Sequence, residues 1–465
     1  MDKPDLTIGE LLSLKSDIIW KSSRPVPDAK IEGISTDSRT IKPDELFFAI
    51  RGDRFDGHDY IDQIFAKGAL AAVVSQTWYE RNGRDFAGAA LVVVPDPLAA
   101  FLDYAGYYRR KFDIPGVAIT GSSGKTTTKE MAYAVLSQRY SVLRNEKSFN
   151  NFVGTPKTIF RLKPHHEIII TEVGTNNWGE LERLSSVTQP DVCVLTNIGY
   201  AHLQHFGDLK GVLRAKMELF THAKHDGTAI YNADDPMLKN QRFPLARTIS
   251  FGETGDVTAE IIGCDHLARY TIKLGGDTME LGIPGRHNVD NAMAAAAIGR
   301  AFSLSTREIK VGLEMVKSVE KRLEVYKVAG VTIVDDTYNS NPSSCLASLK
   351  TLADMKTGGN GRRIAVFGDM LELGDFAVAE HTKLADVAVH LRIDALFLCG
   401  SLTGHTAKRA RRLNRYSVYK EDKEELTTVL CEFLRRDDIL LIKGSRGMMM
   451  ETVVESCRAF LSEKQ

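Results

Sequence analysis

The segment GVAITGSSGKTTTKE, residues 116–130, constrains this chain more than any other. An apolar run ends at Thr120, Gly121 and Gly124 bracket Ser122 and Ser123, and Lys125, Thr126 and Thr127 open a helical pattern. A strand turning on glycines into a helix aims backbone N–H groups and the positive end of the helix dipole at one point, where phosphate oxygens bind. The lysine reaches terminal phosphates and the threonine hydroxyl can ligate Mg2+. The longer phosphate-loop pattern wants glycine at position 119, where this chain has Ile119, so the match is to the shorter G-x-x-G-K-T form. A plain Gly-Ser turn explains the glycines, but neither the Lys-Thr pair nor the strand-to-helix setting. An ATP or GTP site is therefore expected at residues 121–127.

Around this loop, short β-branched runs alternate with helical stretches: IIITEVG at 168–174, DVCVLTNIG at 191–199 and GTAIYNAD at 227–234. That alternation marks a mostly parallel sheet covered on both faces. Residues 248–281 read as more antiparallel, and an Ala-rich helix follows. The last third repeats the alternation through GVTIVDDTYNSNP, RRIAVFGDML, DALFLCG and DDILLIKGSRG, predicting a second open, Rossmann-like sheet. The first hundred residues, with ELFFAI, ALAAVVS and ALVVVPD, read as a smaller α/β unit. With 465 residues, three domains are expected, at 1–111, 112–318 and 319–465.

Composition removes several classes of function. Sixty basic residues balance sixty acidic ones, so no global field favours a polyanion and nucleic acid is not expected as a partner. Six cysteines are scattered without a CxxC pair, which argues against a zinc site or a disulfide framework and suits a cytoplasmic setting. The polar, acidic start and the lack of a long apolar run predict neither secretion nor membrane insertion.

A phosphate loop serves motors, switches, kinases and ligases alike, so other strand-end residues must decide. Glu172 ends one strand and His202 follows another, both at the sheet edge where such folds gather ligands. Taken alone, Glu172 is as readily a solvated acid, and His202 or His205 a structural histidine.

TGSSGKTTTKE, SFNNFVGTP, TEVGTNNWGE, LTNIGYAHLQHFG, RAKMELF, GRHNVDNAMAA, KRLEV and DDTYN stand in one order across residues 116–341. In that set the chain resembles the Mur ligases, ATP-dependent amide-forming synthetases, and similar terminal segments extend the likeness to nearly its whole length. Within the family, DDTYNSNP and FGDMLELG, with no DNPR motif anywhere, resemble the members that add D-alanyl-D-alanine to UDP-N-acetylmuramoyl-tripeptide in peptidoglycan precursor synthesis. TEVGTNNWGE departs from the commoner EMGANHPGE, so the resemblance assigns nothing to Thr175 or Trp178.

The resemblance implies an acyl-phosphate mechanism with ATP and two Mg2+ ions. It implies Thr126 and Glu172 as ligands of one ion, with His202 and a carbamylated Lys216 holding the other. Without the family, Lys216 reads as a solvated helix lysine. Asn288 and Asn291 would face adenine, although Asn288 as an N-cap and Asn291 as an ordinary polar position remain open. Arg322 would reach phosphate and Asp336 ribose. Asn150 and Asn151 would position phosphate or substrate, or form an Asn-rich turn. Ser35, Thr36, Asp37, Ser38 and Arg39, with the loop from Arg51, would hold the UDP end unless they are a charged surface turn. Asn339, Asn341, Lys443, Ser445 and Arg446 would meet the dipeptide. A monomer acting on small molecules is expected. The rivals are another Mur-type ligase, such as a muramoyl-dipeptide amino-acid-adding or folylpolyglutamate-like enzyme, and a nucleotide-binding regulatory module without ligase activity.

Overall fold

The structure is a computed structural model describing residues 5–22, 25, 30–52, 55–83, 86, 89–201 and 203–463. Three α/β units follow one another along the chain. The first has a five-stranded sheet of β1 (Ile19–Lys21), β2 (Gly33–Ser35), β3 (Glu45–Phe48), β4 (Ala71–Ser75) and β5 (Leu91–Val94), in the order β1-β5-β4-β3-β2. Only β1 runs antiparallel to its neighbour.

The second unit has six parallel strands: β6 (Gly116–Thr120), β7 (Val142–Arg144), β8 (Ile168–Glu172), β9 (Val192–Leu195), β10 (Thr228–Asn232) and β11 (Arg247–Phe251). Their order is β11-β10-β9-β6-β8-β7. Side chains of a strand alternate between faces, and here the alternation divides two cores. Val117, Ile119, Ile168, Ile170, Val192 and Val194 pack on one face. Ala118, Ile169, Cys193 and Leu195 pack on the other. Both faces being covered explains why β6, β8 and β9 read as unbroken apolar runs. The first face holds the helices Lys125–Leu136 and His287–Ala301, and the latter helix buries six consecutive small or apolar residues, Ala292–Ala297, on that face beside the former helix.

The antiparallel expectation for residues 248–281 needs correction at its start. β11 extends the parallel sheet by pairing with β10, and the antiparallel meander begins only at β12 (Ala259–Cys264), followed by β13 (Arg269–Leu274) and β14 (Asp277–Pro284). As a sheet edge, β11 is exposed over its first two residues, so RTISF lacks the apolar signature of its neighbours.

The third unit has β15 (Glu324–Val328), β16 (Val331–Asp336), β17 (Arg363–Gly368), β18 (Ala395–Cys399), β19 (Ser417–Lys420) and β20 (Ile439–Lys443), ordered β15-β16-β20-β17-β18-β19, with only β15 antiparallel. This is the open sheet the sequence predicts, antiparallel edge excepted.

The helix Pro97–Arg110 is a wall shared by the first two units. Its Phe101 and Tyr104 pack in the same cluster as Phe48 of β3 and Ala118 of β6. Tyr104 Oη donates to Thr7 O at 2.7 Å, Tyr108 Oη to Leu162 O at 2.8 Å, and the buried Arg109 reaches Ile114 O at 2.7 Å and Thr188 O at 3.2 Å. The aromatic run in that helix therefore ties the first sheet to the second.

Candidate active site

The carboxyl ends of β6, β8, β9 and β16 converge on a cavity of about 350 Å3. β6 breaks at Gly121, where a Cβ would collide with Thr196 Oγ1. The chain then turns at Gly124, whose φ of +79° lies in the left-handed region, and enters the helix Lys125–Leu136. A Cβ there would also strike Asn291 Oδ1, so the loop is glycine at this point for two independent reasons. The turn hangs on β9: Ser122 N donates to Asn197 O at 3.0 Å, Ser123 N to Asn197 Oδ1 at 3.0 Å, and Thr196 Oγ1 to Ser123 O at 2.6 Å. With those two amides engaged, the free amides of the first helical turn are the ones left to bind an anion. Gly124→Ala is expected to push Asn291 aside and cost about 1–2 kcal/mol of backbone strain. ATP titration should show its KM raised about tenfold or more.

Beside the loop, Thr126 Oγ1 donates to Glu172 Oε2 at 2.7 Å, and Asn150 Nδ2 to Glu172 Oε1 at 2.8 Å. Glu172 is 1% exposed. Its backbone is clamped by Asn145, which accepts from Glu172 N at 2.9 Å and donates to Glu172 O at 3.0 Å. Asn145 is held in turn by Lys129, a fully buried lysine whose Nζ donates to Asn145 O at 2.8 Å and Lys147 O at 2.6 Å. Ser148 follows in this turn, and Arg322 from the third unit donates to Ser148 Oγ at 3.1 Å with its guanidinium 3.9 Å from the Tyr338 ring centroid. Asn151 Oδ1 accepts from Gly154 N at 2.9 Å, which is the turn role.

Lys125 Nζ lies back on Gly121 O at 2.7 Å. Burial pushes its pKa down, while the Glu172 carboxylate pulls it up and Arg322 lowers it. Lys216, in the helix Leu209–Met217, is 3% exposed, lines the cavity, and has no hydrogen-bond or ion-pair partner among the described residues. Burial, and then the charge of Lys125, hold its pKa well below the ordinary lysine value. The solvated-lysine reading of Lys216 is therefore wrong for this fold. His202 lies outside the described residues.

On the far side of Asn291, the helix His287–Ala301 presents its first turn to the cavity. Asn288 is its second residue, with Arg286 the cap, so the N-cap reading of Asn288 fails. Asn291 Nδ2 donates to Asn288 Oδ1 at 2.8 Å, and Thr128 Oγ1 to Asn291 Oδ1 at 3.2 Å. Asp336, at the end of β16, is held by Lys443 Nζ at 2.6 Å and Ser348 Oγ at 2.5 Å.

Of the residues expected at the dipeptide, Asn339, Asn341 and Lys443 line the cavity. Asn341 caps the helix Pro342–Asp354, and Lys443 is committed to Asp336 and Asn339 O. Ser445 accepts from Leu371 N at 2.9 Å, and Arg446 pairs with Glu451 at 3.1 Å, both outside the cavity lining.

Ser35 ends β2, and Ser35 Oγ accepts from Asp37 N at 3.1 Å. Arg39 donates to both Asp37 oxygens, at 2.9 and 2.7 Å, and holds the Asp37 carboxyl at about 2. Thr36 stands half-buried between them, and Ser38 is buried, its carbonyl taking Lys67 Nζ at 2.7 Å. Arg51 stands exposed 3.9 Å from Asp56, which anchors His58 to the end of β4 through Ser75 N. The turn lies apart from the 350 Å3 cavity. Sequence reading missed Asn145, Ser148, Lys129 and Asn197; the last three lie within quoted motifs, and Asn145 stands three residues before SFNNFVGTP.

Family comparison covers most of the chain. The Mur ligase family, catalytic domain matches residues 30–101, the Mur ligase middle domain residues 119–299, and the Mur ligase, glutamate ligase domain residues 321–446. The chain belongs to the Mur ligase family. This Mur ligase is 35% identical over 430 residues to the UDP-N-acetylmuramoyl-tripeptide–D-alanyl-D-alanine ligase of Bacillus subtilis, covering 91% of this chain and 93% of that one. Its likeness to the Escherichia coli ligase of the same name is 34%, over 92% and 94% of the two chains. A crystal structure of MurF from Acinetobacter baumannii superposes with a TM-score of 0.89 at 31% identity, covering 98% of this chain and 99% of that one. The MurF ligase from Thermotoga maritima, solved in complex with ADP, gives 0.80 at 26%, covering 93% and 98%. The expected three-part α/β architecture and family are thus borne out. Among the described residues no helix is long and apolar enough to cross a membrane.

Proposed function

We propose that this Mur ligase joins D-alanyl-D-alanine to UDP-N-acetylmuramoyl-tripeptide at the expense of ATP, through an acyl phosphate. One observation carries the assignment of the chemistry to residues. Lys125, Thr126, Glu172 and Lys216 of the second unit share a cavity with Arg322 and Asp336 of the third, in a chain a third identical to ligases of that name along nine-tenths of its length. Domain limits near 111/112 and 318/319 fit the division into sheets and the family matches at 30–101, 119–299 and 321–446.

A carboxylate is a poor acyl donor because its oxygen leaves badly and its charge repels a lone pair. In this reading the tripeptide carboxylate oxygen attacks the γ-phosphorus and ADP leaves. The free amine of the dipeptide then adds to the acyl carbon, and the tetrahedral intermediate expels phosphate as the nitrogen loses a proton. The protein's task is positioning and charge neutralisation. Lys125 and Arg322 face the phosphates, Asn150 fixes Glu172, and Asp336 stands ready for ribose. The Arg322–Ser148 contact ties this geometry to the closure of the third unit, which keeps water from the acyl phosphate.

The Thr126 hydroxyl and Glu172 carboxylate, buried and 2.7 Å apart, are the hard oxygen donors that Mg2+ takes, so the residues fit the ion. Among the described residues no three His, Cys, Asp or Glu side chains cluster as a metal cage, which leaves the remaining positions to phosphate oxygens and water. The ion, when bound, offsets charge between the β- and γ-phosphates. A second Mg2+ would use His202 and a carbamate on Lys216, whose buried amine lacks an anionic partner among the described residues. We further propose that Ser35–Arg39 with Arg51 hold the uridine diphosphate, Asn151 shapes the loop that meets the substrate, and the Asn339–Asn341 turn meets the dipeptide. A cytoplasmic monomer completes the reading.

The test is phosphate release with ATP, Mg2+, UDP-N-acetylmuramoyl-tripeptide and D-alanyl-D-alanine, omitting one component at a time. Release requiring all four, with a pentapeptide product by mass, is expected. Release only with a different amine would replace the acceptor assignment, and ATP binding without release under any combination would favour a regulatory module.

A further inference from the structure

At the end of the third sheet away from the cavity, positive charge gathers without partners. β18 and β19 run parallel to β16 and β20, whose carboxyl ends bring Asp336 and Lys443 to the cavity, so the starts of β18 and β19 lie at the opposite end. Arg392 stands before β18 and Arg415 before β19, and the helix Thr403–Arg412, which leads from one strand to the other, ends there on Arg411 and Arg412. Lys408 lies three and four residues before that pair and so on the same side of the helix, away from its buried Thr403, Thr406, Ala407 and Ala410. None of the five cationic side chains has a hydrogen-bond or ion-pair partner among the described residues. The acids of the flanking segments are taken: Asp386 holds Arg409 at 2.7 Å, and Asp394 accepts from Arg363 N at 2.7 Å. In a chain with sixty basic and sixty acidic residues, this is a local excess.

A helix C-terminus attracts cations, and that accounts for an arginine or two at the end of the helix Thr403–Arg412. It does not account for two donors left bare. Arg415 Nε and Ser417 Oγ are buried without a hydrogen-bond partner among the described residues. They stand two residues apart at the entry to β19 and so share one side, while Tyr416 between them turns to the other and stacks on Phe433, with ring centroids 5.2 Å apart. A buried donor with no acceptor costs free energy, which an acceptor from outside the chain removes. Both residues are only half-buried, so the seat is shallow, and a flexible arginine stem can bring its Nε–H to an acceptor at the surface.

The donors fix the class of acceptor. A guanidinium and a hydroxyl among further cations suit a phosphate oxygen. Charges spread over two strand starts and a helix end exceed what one small phosphate uses, and fit a surface that carries many. An anionic lipid bilayer is such a surface, and it recruits clusters of about four to eight Lys and Arg residues. Tyr416, 52% exposed beside these charges, is of the residue type that settles at headgroup level. Nucleic acid is the poorer fit, because domains that bind it are basic as a whole and this chain is balanced. We propose that this end of the third unit rests on an anionic membrane surface, with a headgroup phosphate accepting from Arg415 Nε and Ser417 Oγ. Docking there leaves the cavity, at the far end of the sheet, open to its substrates.

The experiment is co-sedimentation of the full chain with vesicles of phosphatidylcholine alone and of phosphatidylcholine mixed with phosphatidylglycerol, at about 0.1 M and about 1 M salt. The chain should bind only the vesicles that contain phosphatidylglycerol, and only at the lower salt. Changing Arg411, Arg412 and Arg415 together to Ala should weaken that binding about 100-fold, from the contribution of each basic residue near an anionic surface. Arg415→Lys combined with Ser417→Ala keeps the charge while removing both bare donors, and should weaken it about tenfold, the low end for hydrogen bonds to a charged group. Circular dichroism checks the fold of both, and the second variant carries the test if the first does not fold. Equal binding to neutral and anionic vesicles, no binding to either, or unchanged affinity in either folded variant overturns the proposal. Tighter binding of an oligonucleotide duplex than of the anionic vesicles also overturns it, and assigns the face to nucleic acid.

Discussion

Lys125→Ala is expected to lower kcat about 10²- to 10³-fold, the usual cost of removing one preorganised group from a site of developing charge. The fold should survive, because among the described residues the Lys125 ammonium makes a single hydrogen bond, to Gly121 O, and neither the glycine turn nor the Thr126–Glu172 bond depends on it. In the free chain the ammonium rests on its own loop. A bound triphosphate offers stronger anionic partners within reach of the same stem, so the side chain should exchange the carbonyl for β- and γ-oxygens. Lys125→Arg should fail as well, since a planar fork is a poor substitute for a compact charge in so enclosed a place. The measurement is phosphate release with all substrates, with circular dichroism to confirm the fold. Near-normal turnover would remove the ATP assignment from this loop.

That loop was legible because its signal is local: the strand, the two glycines and the helix that build it are contiguous, from Gly116 to Leu136. The same holds for β8, β9 and β20, whose apolar runs follow from burial on both faces. Edge elements were harder. β11 belongs to the parallel sheet yet is exposed over its first half, so its sequence carries little of the pattern. The support around Glu172 was illegible for a different reason. Lys129 holds Asn145, and Asn145 holds both backbone groups of Glu172, across separations of 16 and 27 residues. Nothing in TTTKE distinguishes a fully buried lysine from an exposed one: its ion pair with the adjacent Glu130, at 3.0 Å, is as available on a surface, and only the fold brings it the two carbonyls that complete its burial. Lys216 shows the opposite case: helix periodicity alone reads it as solvated, whereas it is 3% exposed and lines the cavity beside the phosphate loop.

Lys216→Ala is expected to lose more than the roughly 100-fold in kcat that loss of an outer-shell partner costs. A buried amine without an anionic neighbour is unfavourable as an ammonium and useless to a cation, so its retention in the cavity needs a chemical reason. Conversion to a carbamate supplies one, because it turns the amine into an oxygen-donor anion suited to Mg2+. Short carboxylates added to Lys216→Ala should therefore restore part of the activity, and CO2-depleted buffer should lower wild-type turnover; full rates there would count against the modification. Stability gives a second readout, independent of activity. The folded-state pKa of the unmodified amine lies well below that of the unfolded chain. Between those two values the unfolded chain binds more protons, so stability rises with pH and levels off above the unfolded value. Lys216→Met removes the group, so in CO2-free buffer it should flatten that rise and increase the melting temperature at neutral pH. A melting temperature at or below wild type would mean that Lys216 has a partner in the folded protein, and that its role is structural.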